Sequence, residues 1–333
     1  MKLERNFRVE NTLALKAKSL LGCTVRSVAE LKAVMAKPEF LNQQSVVIGS
    51  GSNMIAMPVV EKLIIKMSIK GIQRVKENKE FVWIRVGAGE NWDSLVRALL
   101  EENIFGLENL ALIPGLVGAA PIQNIGAYGR EVSEFIDEVE AFDRSGEEVI
   151  LKGADCEFGY RTSIFKSKND FIIGSVTFKL LKTPNPKTDY PDLKNLLSSL
   201  DLTEPSPKEI ADAVTQIRTE KLPNPLTHPN LGSFFKNPVV AKDLVERLAG
   251  QIDSLKVFEV SGGFKLSAAQ LIDLDGWKSK PGEKVNCWVK QPLVLVNRGD
   301  ATASDVLSYA KNIVISIRDR FGVTLELEPS ILS

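Results

Sequence analysis

The stretch Ile113–Val132, IPGLVGAAPIQNIGAYGREV, is rich in glycine and carries little charge. Glycine admits backbone angles that other residues avoid, and it lets the main chain approach a ligand closely. Main-chain N–H groups in such loops can converge on phosphate, while the intervening apolar side chains can line a pocket for a flat ring. The stretch therefore indicates either a cradle for a large, flat, phosphate-bearing cofactor or a long ordered connector. Composition alone does not choose between the two.

A shorter glycine segment, GSGSN at Gly49–Asn53, follows a predicted buried strand over Ser45–Ile48. A phosphate loop has this position, but the third glycine of the dinucleotide-binding fingerprint is missing, and Met54–Met57 looks extended rather than helical. Phosphate would therefore be bound by turn N–H groups and two serine hydroxyls. An ordinary glycine turn is the simpler interpretation of this segment alone, and the longer glycine-rich stretch adds weight to the phosphate loop.

Composition excludes several classes of protein. The 333 residues carry 42 basic and 42 acidic side chains, so there is no electrostatic footprint for nucleic acid or an acidic membrane. No apolar run approaches a membrane span, and residues 1–16 lack the apolar core of a signal peptide, so we expect a cytoplasmic protein without membrane insertion. Three dispersed cysteines and a single histidine disfavour a disulfide framework and a zinc site, so we expect no metal.

The order of helix and strand signals predicts an α+β protein with two regions. Strand-like segments such as Phe81–Val86 alternate with helical segments in the first third of the chain. The segment Pro184–Pro207 is rich in Pro, Asn, Ser and Asp, so we expect a helix-poor boundary there. Ser206 and Glu209 then have the spacing of a capping box and start a new helix. An N-terminal cofactor region is therefore expected to precede a smaller C-terminal region.

Two further segments carry side chains that could do chemistry. Tyr160 and Arg161 are adjacent, and a guanidinium fork matches a planar carboxylate; a surface arginine beside a core tyrosine is the simpler interpretation. Ser233 lies in Thr227–Asn237, THPNLGSFFKN, where the one histidine with useful spacing, His228, is in a proline-flanked loop. A hydrolase nucleophile is therefore disfavoured. Ser233 could instead donate a proton to a reactive carbanion, or belong to a helix-capping segment.

Charged side chains at two other places have both a binding and a structural interpretation. Arg218 and Lys221 are three residues apart near a predicted helix end, where they could bind a diphosphate or flavin, or stabilise the helix dipole. Glu326 and Glu328 alternate with leucines in the closing LELE segment, which is typical of a solvated strand edge. Because the two glutamates are two residues apart, they share a strand face and periodicity cannot choose between them.

In their order along the chain, these segments resemble the UDP-N-acetylenolpyruvoylglucosamine reductases, and the resemblance covers nearly the whole chain. The segment Asp189–Pro191 is similar to the type I subfamily, in which a tyrosine-bearing loop lies over the substrate. No single motif is specific, but the ordered set is. The motifs are GSGSN at Gly49, GLENLALIPGLVGAAPIQNIGAYG at Gly106, GYR at Gly159, RTEKLPNP at Arg218, GSFFKNP at Gly232, KQPLVLVN at Lys290 and LELE at Leu325.

The resemblance implies an α+β protein with the FAD-binding fold of the vanillyl-alcohol oxidase (PCMH) type and an added α+β substrate-binding domain. Residues 1–205 are expected to form the FAD-binding region, with one lobe over residues 1–68 and another over 69–205. Residues 206–323 are expected to form the substrate-binding domain, and residues 324–333 a strand that returns toward the active site.

The resemblance also implies an activity: the NADPH-dependent reduction of UDP-N-acetylenolpyruvoylglucosamine to UDP-N-acetylmuramate in peptidoglycan precursor synthesis. The enzyme is expected to be a cytoplasmic bacterial monomer with FAD bound without a covalent link. The cofactor performs the hydride chemistry, and the protein supplies orientation and electrostatics. Arg161 and Glu328 match the residues that stabilise an enolate-like state, and Ser233 matches the serine that protonates the carbanion.

Family positions also map onto two binding sets. The implied FAD-binding residues are Gly49, Ser50, Gly51, Ser52, Asn53, Pro114, Gly115, Gly118, Ala119, Ile122, Gln123, Asn124, Gly126, Ala127, Tyr128 and Arg218. The implied substrate-binding residues are Tyr160, Tyr190, Lys221, Asn237 and Gln291.

The closing segment departs from the family pattern Leu-Glu-Pro-Glu-Val-Arg. Leu327 replaces the first proline and Pro329-Ser330 replaces Val-Arg, although Glu328 stays in register. Two other classes of protein could share the fold or the pocket. An oxidase of the vanillyl-alcohol type, which would use O2, is expected to lack the GSFFKNP segment. A nucleotide-sugar-binding protein without catalysis is expected to have lost a catalytic residue.

Overall fold

The computed structural model describes residues 2–42, 44–168, 170–260, 262–280 and 282–333. The chain divides into two compact units. Unit 1 comprises Met1–Phe7, Ser19–Ser50 and Lys62–Arg218, and unit 2 comprises Arg8–Lys18, Gly51–Glu61 and Thr219–Ser333.

These units do not follow the predicted domain limits. Two N-terminal segments belong to unit 2, and unit 1 extends beyond residue 205 to Arg218. The extension has a physical reason, because the helix that begins at Pro207 buries its apolar face in the core of unit 1. The functional assignment of the two predicted domains stays a prediction.

Strands and helices are labelled here in chain order. The strands are β1 (Glu4–Arg8), β2 (Lys18–Val25), β3 (Ser45–Ile48), β4 (Met54–Ala56), β5 (Val59–Val60), β6 (Leu63–Met67), β7 (Ile72–Glu77), β8 (Phe81–Gly87), β9 (Gly126–Ala127), β10 (Arg130–Glu131), β11 (Ile136–Phe142), β12 (Glu148–Lys152), β13 (Ile172–Leu181), β14 (Asn230–Ser233), β15 (Val239–Val240), β16 (Val257–Val260), β17 (Gly263–Leu266), β18 (Val285–Trp288), β19 (Gln291–Asn297) and β20 (Ser330–Leu332). The helices are α1 (Val28–Met35), α2 (Pro38–Asn42), α3 (Trp92–Glu101), α4 (Ile164–Ser167), α5 (Pro191–Ser199), α6 (Pro207–Lys221), α7 (Lys242–Ala249), α8 (Ala268–Leu274) and α9 (Ala303–Phe321).

Unit 1 contains a sheet in the order β1-β2-β6-β3 and an antiparallel sheet in the order β12-β11-β13-β8-β7. Strand β6, LIIKM, is parallel to both of its neighbours and mostly buried, as the near-continuous apolar run of a parallel strand requires. Strand β8 alternates buried and partly exposed residues, which confirms the strand predicted over Phe81–Val86. Trp92, at the start of α3, is buried against the ring of Phe178 in β13.

The segment Pro184–Pro207 is more regular than predicted, because it contains helix α5. Proline is compatible with the first helical position, and Leu193 and Leu197 bury one face of this helix. The capping box predicted for α6 is confirmed. The Ser206 hydroxyl accepts a hydrogen bond from the Glu209 N–H at 3.3 Å, and the Glu209 carboxylate accepts one from the Ser206 N–H at 2.7 Å.

Unit 2 contains two antiparallel sheets, in the orders β14-β19-β18 and β15-β17-β16, and a parallel pair of β4 and β20. Its core includes Phe234, Phe235 and the inner face of α9. Helix α9 begins with a reciprocal capping box between Thr302 and Asp305. It ends at Phe321 and is followed by Gly322, whose φ of 71° favours glycine.

The closing segment forms less strand than predicted. Only Ser330–Leu332 pairs as a strand, parallel to β4. Before it, Leu327 makes an isolated bridge to Phe235. The interruption coincides with Pro329, which cannot donate a hydrogen bond to a neighbouring strand.

Candidate functional site

The glycine-rich stretch of unit 1 runs through turns, as its composition predicts. The angle φ is positive at Gly115 (124°) and Gly129 (85°), and also at Asn124 (44°) and Tyr128 (47°), where a side chain makes it unfavourable. The stretch ends in the hairpin of β9 and β10, residues Gly126–Glu131, which we call the glycine hairpin. These backbone angles produce the turns by which the stretch reverses direction.

Two main-chain amides of the stretch serve the protein's own carbonyl groups. The Gly118 N–H donates to Ala88 O at 2.9 Å, and the Ala119 N–H donates to Leu116 O at 3.0 Å. A Cβ atom at Gly118 would lie 2.6 Å from the Ala88 Cβ, so packing against the end of β8 requires glycine here. Phosphate binding through these two amides is therefore not supported, while the contact of Gly118 and Ala119 with FAD stays a prediction.

The shorter glycine segment begins beside the longer one. A Cβ atom at Gly49 would lie 3.1 Å from Leu116 Cδ1, so the end of β3 packs directly on the glycine-rich stretch within unit 1. Further along, Gly51 has a φ of 68° and packs on the Glu10 main chain within unit 2. The extended conformation predicted after the segment is confirmed by β4. Two segments that the sequence assigns to one cofactor thus meet at Gly49.

Arg161 lies at the tip of a tight turn beside the glycine hairpin. Gly159 and Thr162 exchange main-chain hydrogen bonds at 3.1 and 3.2 Å, and Arg161 has a φ of 55°. Arg161 Nη2 donates to Gly126 O at 3.0 Å. Tyr160, whose ring centre is 5.5 Å from the Arg161 guanidinium, is 41% exposed. The interpretation of a surface arginine beside a core tyrosine is therefore wrong, because the tyrosine is exposed and the arginine is partly buried.

Tyr128, Tyr190 and Arg218 meet in unit 1. The two tyrosine rings pack edge to face with 5.2 Å between their centres. Burial raises the pKa of Tyr128 to about 12, and the nearby charge of Arg218 opposes that rise. Burial lowers the pKa of Arg218, and the nearby Tyr128 and Asp93 side chains oppose this lowering. Arg218 Nε is buried and lacks a hydrogen-bond partner among the described residues, which makes its N–H a candidate donor to a ligand.

Ser233, Gln291 and Glu328 lie on three adjoining segments of unit 2. Ser233 ends β14 and is paired with Val294 of β19, the strand that begins at Gln291. The Glu328 N–H donates to Phe234 O at 3.0 Å, one residue beyond Ser233. Ser233 is exposed, whereas Phe234 is buried. The local fold thus brings a hydroxyl-bearing, an amide-bearing and a carboxyl-bearing residue onto neighbouring backbones.

The structure distinguishes the two closing glutamates, which the sequence pattern could not. The Glu326 side chain is 72% exposed, and its carboxylate accepts a hydrogen bond from Lys236 Nζ at 2.9 Å. Glu328 is partly buried and is joined through its backbone to Phe234. Because the backbone here is not a regular strand, the argument that both glutamates share one face does not apply.

The other predicted substrate-binding residues of unit 2 have mixed surroundings. Asn237 Oδ1 accepts a hydrogen bond from the Ala268 N–H at 3.0 Å, at the start of α8. Lys221 is the last residue of α6 and is partly exposed. Asn237 therefore has a structural contact that the sequence did not reveal, and its predicted role in substrate binding stays a prediction.

Two buried polar residues lie just before the glycine-rich stretch and could not be recognised from the sequence. Glu108 and Asn109 are 1% and 0% exposed. A Glu108 carboxylate oxygen accepts a hydrogen bond from the Gly106 N–H at 2.6 Å, and burial raises the Glu108 pKa. Asn109 Nδ2 donates to the main-chain oxygens of Tyr128 and Lys187 at 2.9 and 2.8 Å. Their burial is the only feature that distinguishes these residues. Because distant segments of the chain bury them, the local sequence carries no pattern that predicts it.

Across the ranges that the structure describes, no helix has the length and apolar character needed to cross a membrane. Within the same ranges, no three His, Cys, Asp or Glu side chains form a group that could hold a metal ion.

Comparison with known proteins identifies the family. Residues 21–152 match the family described as FAD binding domain, and residues 224–332 match UDP-N-acetylenolpyruvoylglucosamine reductase, C-terminal domain. The chain is 40% identical to the UDP-N-acetylenolpyruvoylglucosamine reductase of Amoebophilus asiaticus over 100% of both chains. It is 42% identical to that of Polynucleobacter asymbioticus, over 99% of this chain and 97% of the relative.

A solved structure gives the same assignment of the fold. The UDP-N-acetylenolpyruvylglucosamine reductase (MurB) from Thermus caldophilus superimposes with a TM-score of 0.69 at 24% identity, over 100% of each chain. The predicted class, an α+β protein with an FAD-binding fold and an added C-terminal domain, is confirmed. The chain belongs to the UDP-N-acetylenolpyruvoylglucosamine reductase family.

Proposed function

We propose that this chain reduces UDP-N-acetylenolpyruvoylglucosamine to UDP-N-acetylmuramate with FAD and NADPH, and that Arg161, Ser233 and Glu328 carry the reaction. The enzyme is an FAD-dependent oxidoreductase of peptidoglycan precursor synthesis. Relatives that are 37% to 42% identical over nearly the full chain bear the name of this reductase, which supports the activity. The observation that carries the residue assignment is the joining of Glu328 to the residue next to Ser233.

The residues of unit 1 fit FAD. Arg218 Nε is a buried donor without a protein partner among the described residues, beside Tyr128 of the glycine hairpin. Gly49 packs on the Leu116 side chain, so the start of the shorter glycine segment lies beside the longer stretch, as a shared cofactor requires. Bound FAD supplies the hydride transfer from NADPH to the substrate. The proposed binding set is the one implied by the family motifs, from Gly49 to Arg218.

The role proposed for Arg161 follows from its charge and its fixed position. A guanidinium fork matches the carboxylate of the enolpyruvyl group. The hydrogen bond from Arg161 Nη2 to Gly126 O and the turn between Gly159 and Thr162 hold the side chain in place before substrate arrives. A preorganised cation stabilises the negative charge that develops on that carboxylate during reduction.

Ser233 is proposed to donate the proton to the reduced substrate, and Glu328 to stabilise the negative charge of the enolate-like state. The Ser233 hydroxyl donates its proton to the carbon next to the carboxylate, because the carbanion itself supplies the driving force. Glu328 in its protonated form donates a hydrogen bond to the enolate-like state. Tyr160, Tyr190, Lys221, Asn237 and Gln291 are proposed to hold the nucleotide sugar.

We also propose that the enzyme is located in the bacterial cytoplasm, since NADPH and nucleotide sugars are metabolites of that compartment. We propose further that it is a monomer. Sedimentation equilibrium of the FAD-loaded protein tests the monomeric state. A mass well above the 36.7 kDa of one chain would contradict it.

A colour assay without oxygen tests the proposed activity. The purified protein is expected to be yellow, to bleach with NADPH, and to regain its colour when the enolpyruvyl UDP-sugar is added. UDP-N-acetylglucosamine, which lacks the enolpyruvyl group, is the matched control and should leave the protein bleached. A bleached protein that oxygen recolours and the enolpyruvyl sugar does not would instead indicate an oxidase.

A further inference from the structure

One buried amide joins two segments of unit 1. Asn109 is wholly buried, and its Nδ2 donates to Tyr128 O at 2.9 Å and to Lys187 O at 2.8 Å. Tyr128 belongs to the glycine hairpin, and Lys187 belongs to the segment Asn185–Tyr190, which we call the tyrosine loop. Both hydrogens of the amide are therefore used, and each holds a different segment.

Two further contacts join the same segments. Arg130 of the glycine hairpin donates from Nη2 to Asn185 O at 2.7 Å. At the other end of the tyrosine loop, the Tyr190 ring packs edge to face on the Tyr128 ring. Asn185, Lys187 and Tyr190 are thus each attached to the hairpin or to Asn109.

The backbone of Tyr128 needs such support. Its φ of 47° lies in the left-handed region, which a residue with a bulky side chain adopts only when its surroundings hold it there. The hydrogen bond from Asn109 to Tyr128 O holds this peptide group, and with it the ring on which Tyr190 packs.

We propose that Asn109 is a positioning residue that sets the place of Tyr190 for substrate binding by fixing the tyrosine loop to the glycine hairpin. This inference rests on the proposed function, in which Tyr190 holds the nucleotide sugar. A loop that is already in place binds substrate without the entropy cost of ordering it on binding. Loss of the Asn109 amide should therefore weaken substrate binding about tenfold, equivalent to ~1.4 kcal/mol.

A double-mutant cycle between Asn109 and Tyr190 tests the proposal. Asn109→Leu keeps a similar shape but removes both donors, and Tyr190→Ala removes the ring. The substrate dissociation constant of the FAD-loaded enzyme is measured by calorimetry. Each single change is expected to raise the constant, and the double variant is expected to bind no more weakly than Tyr190→Ala. Strictly additive losses would overturn the proposal, because independent sites add.

A matched control separates positioning from general destabilisation. Asn297 is also buried and donates to a main-chain oxygen, Leu13 O, at 2.8 Å, but it lies in unit 2. Asn297→Leu should lower the melting temperature, and any effect on binding should add to that of Tyr190→Ala.

A second variant covers poor folding of Asn109→Leu. Arg130→Met removes the hydrogen bond to Asn185 O and should show the same lack of additivity with Tyr190→Ala. If Tyr190→Ala leaves substrate binding unchanged, both its proposed role and this inference fail. If Tyr190→Ala weakens substrate binding, but its loss of binding free energy simply adds to the losses of Asn109→Leu and Arg130→Met, this inference alone fails.

Discussion

Unfavourable backbone angles cluster around the glycine hairpin. Asn124, Tyr128 and Arg161 all have φ values between 44° and 55°. Each such residue costs roughly 1–2 kcal/mol relative to an ordinary conformation, so it persists only where neighbouring contacts hold it. Asn124 is held by hydrogen bonds to Glu131 and Gly159, and Arg161 by its bond to Gly126. Strain held in this way fixes side chains before a ligand binds.

The closing glutamates give a prediction at a single residue. Glu328→Ala and Glu328→Gln should both slow reoxidation of reduced flavin by the enolpyruvyl sugar, by about 100-fold or more for Ala and less for Gln, because Gln still donates a hydrogen bond. Glu326→Gln should be nearly silent, because its exposed ion pair with Lys236 contributes little. Stopped-flow absorbance of the flavin measures all three.

The opposite ranking of the Glu326 and Glu328 variants would contradict this prediction. A severe defect in Glu326→Gln beside an active Glu328→Ala would show that Leu327 and Pro329 shift the register of the closing segment.

Residue types and their order were enough to predict the candidate site, but not the contacts that support it. Arg161, Ser233 and Glu328 could be named because motifs preserve local order. Asn109 could not, since the contacts behind its proposed role are with Tyr128 and Lys187, which are far from it in sequence.

The glycine-rich stretch needs glycine for packing within the protein, independently of any ligand. Gly118→Ala should destabilise the protein by about 1–3 kcal/mol, because its Cβ would lie 2.6 Å from the Ala88 Cβ. A thermal melt of the FAD-loaded protein should show a melting temperature lowered by several degrees.

Gly250→Ala is the matched control for this substitution. Gly250 has a φ of −74°, and its nearest crowding atom would be 3.6 Å from an added Cβ, so alanine should be tolerated. Equal melting temperatures for Gly118→Ala and Gly250→Ala would mean that the stretch yields at Gly118 and that packing does not require glycine there.

Elements with strong local signals were predicted, and those set by distant contacts were not. The capping box of Ser206 and Glu209 acts within one turn, so it could be recognised from spacing alone. Helix α5 was missed because the composition of the segment Pro184–Pro207 suggested a linker, whereas Leu193 and Leu197 bury one face of the helix. The pairing of β20 with β4 joins segments that are far apart in the sequence, and no local pattern encodes such a pairing.

At the scale of the whole molecule, the family assignment and the fold class could be obtained from the ordered motifs. The composition of unit 2 could not, because residues 8–18 and 51–61 belong with residues 219–333 only through contacts in three dimensions.

FAD should be bound without a covalent link. Neither glycine segment contains a histidine, and Cys23, Cys156 and Cys287 are buried. Burial raises the pKa of Cys23 to about 11 and those of Cys156 and Cys287 to about 12, so the reactive thiolate is disfavoured at neutral pH. Acid or heat denaturation should release all of the yellow colour into the supernatant. Flavin that stays with the washed precipitate would contradict this prediction.

Separating the two half-reactions shows whether Ser233 supplies the proton to a substrate that is reduced through FAD. In Ser233→Ala, stopped-flow absorbance should show near-normal bleaching of the flavin by NADPH, because that step needs no substrate proton. Reoxidation by the enolpyruvyl sugar should slow by ~100- to 10,000-fold, the usual loss when a positioned proton donor is removed. Equal slowing of both half-reactions, or normal reoxidation, would mean that Ser233 does not supply this proton.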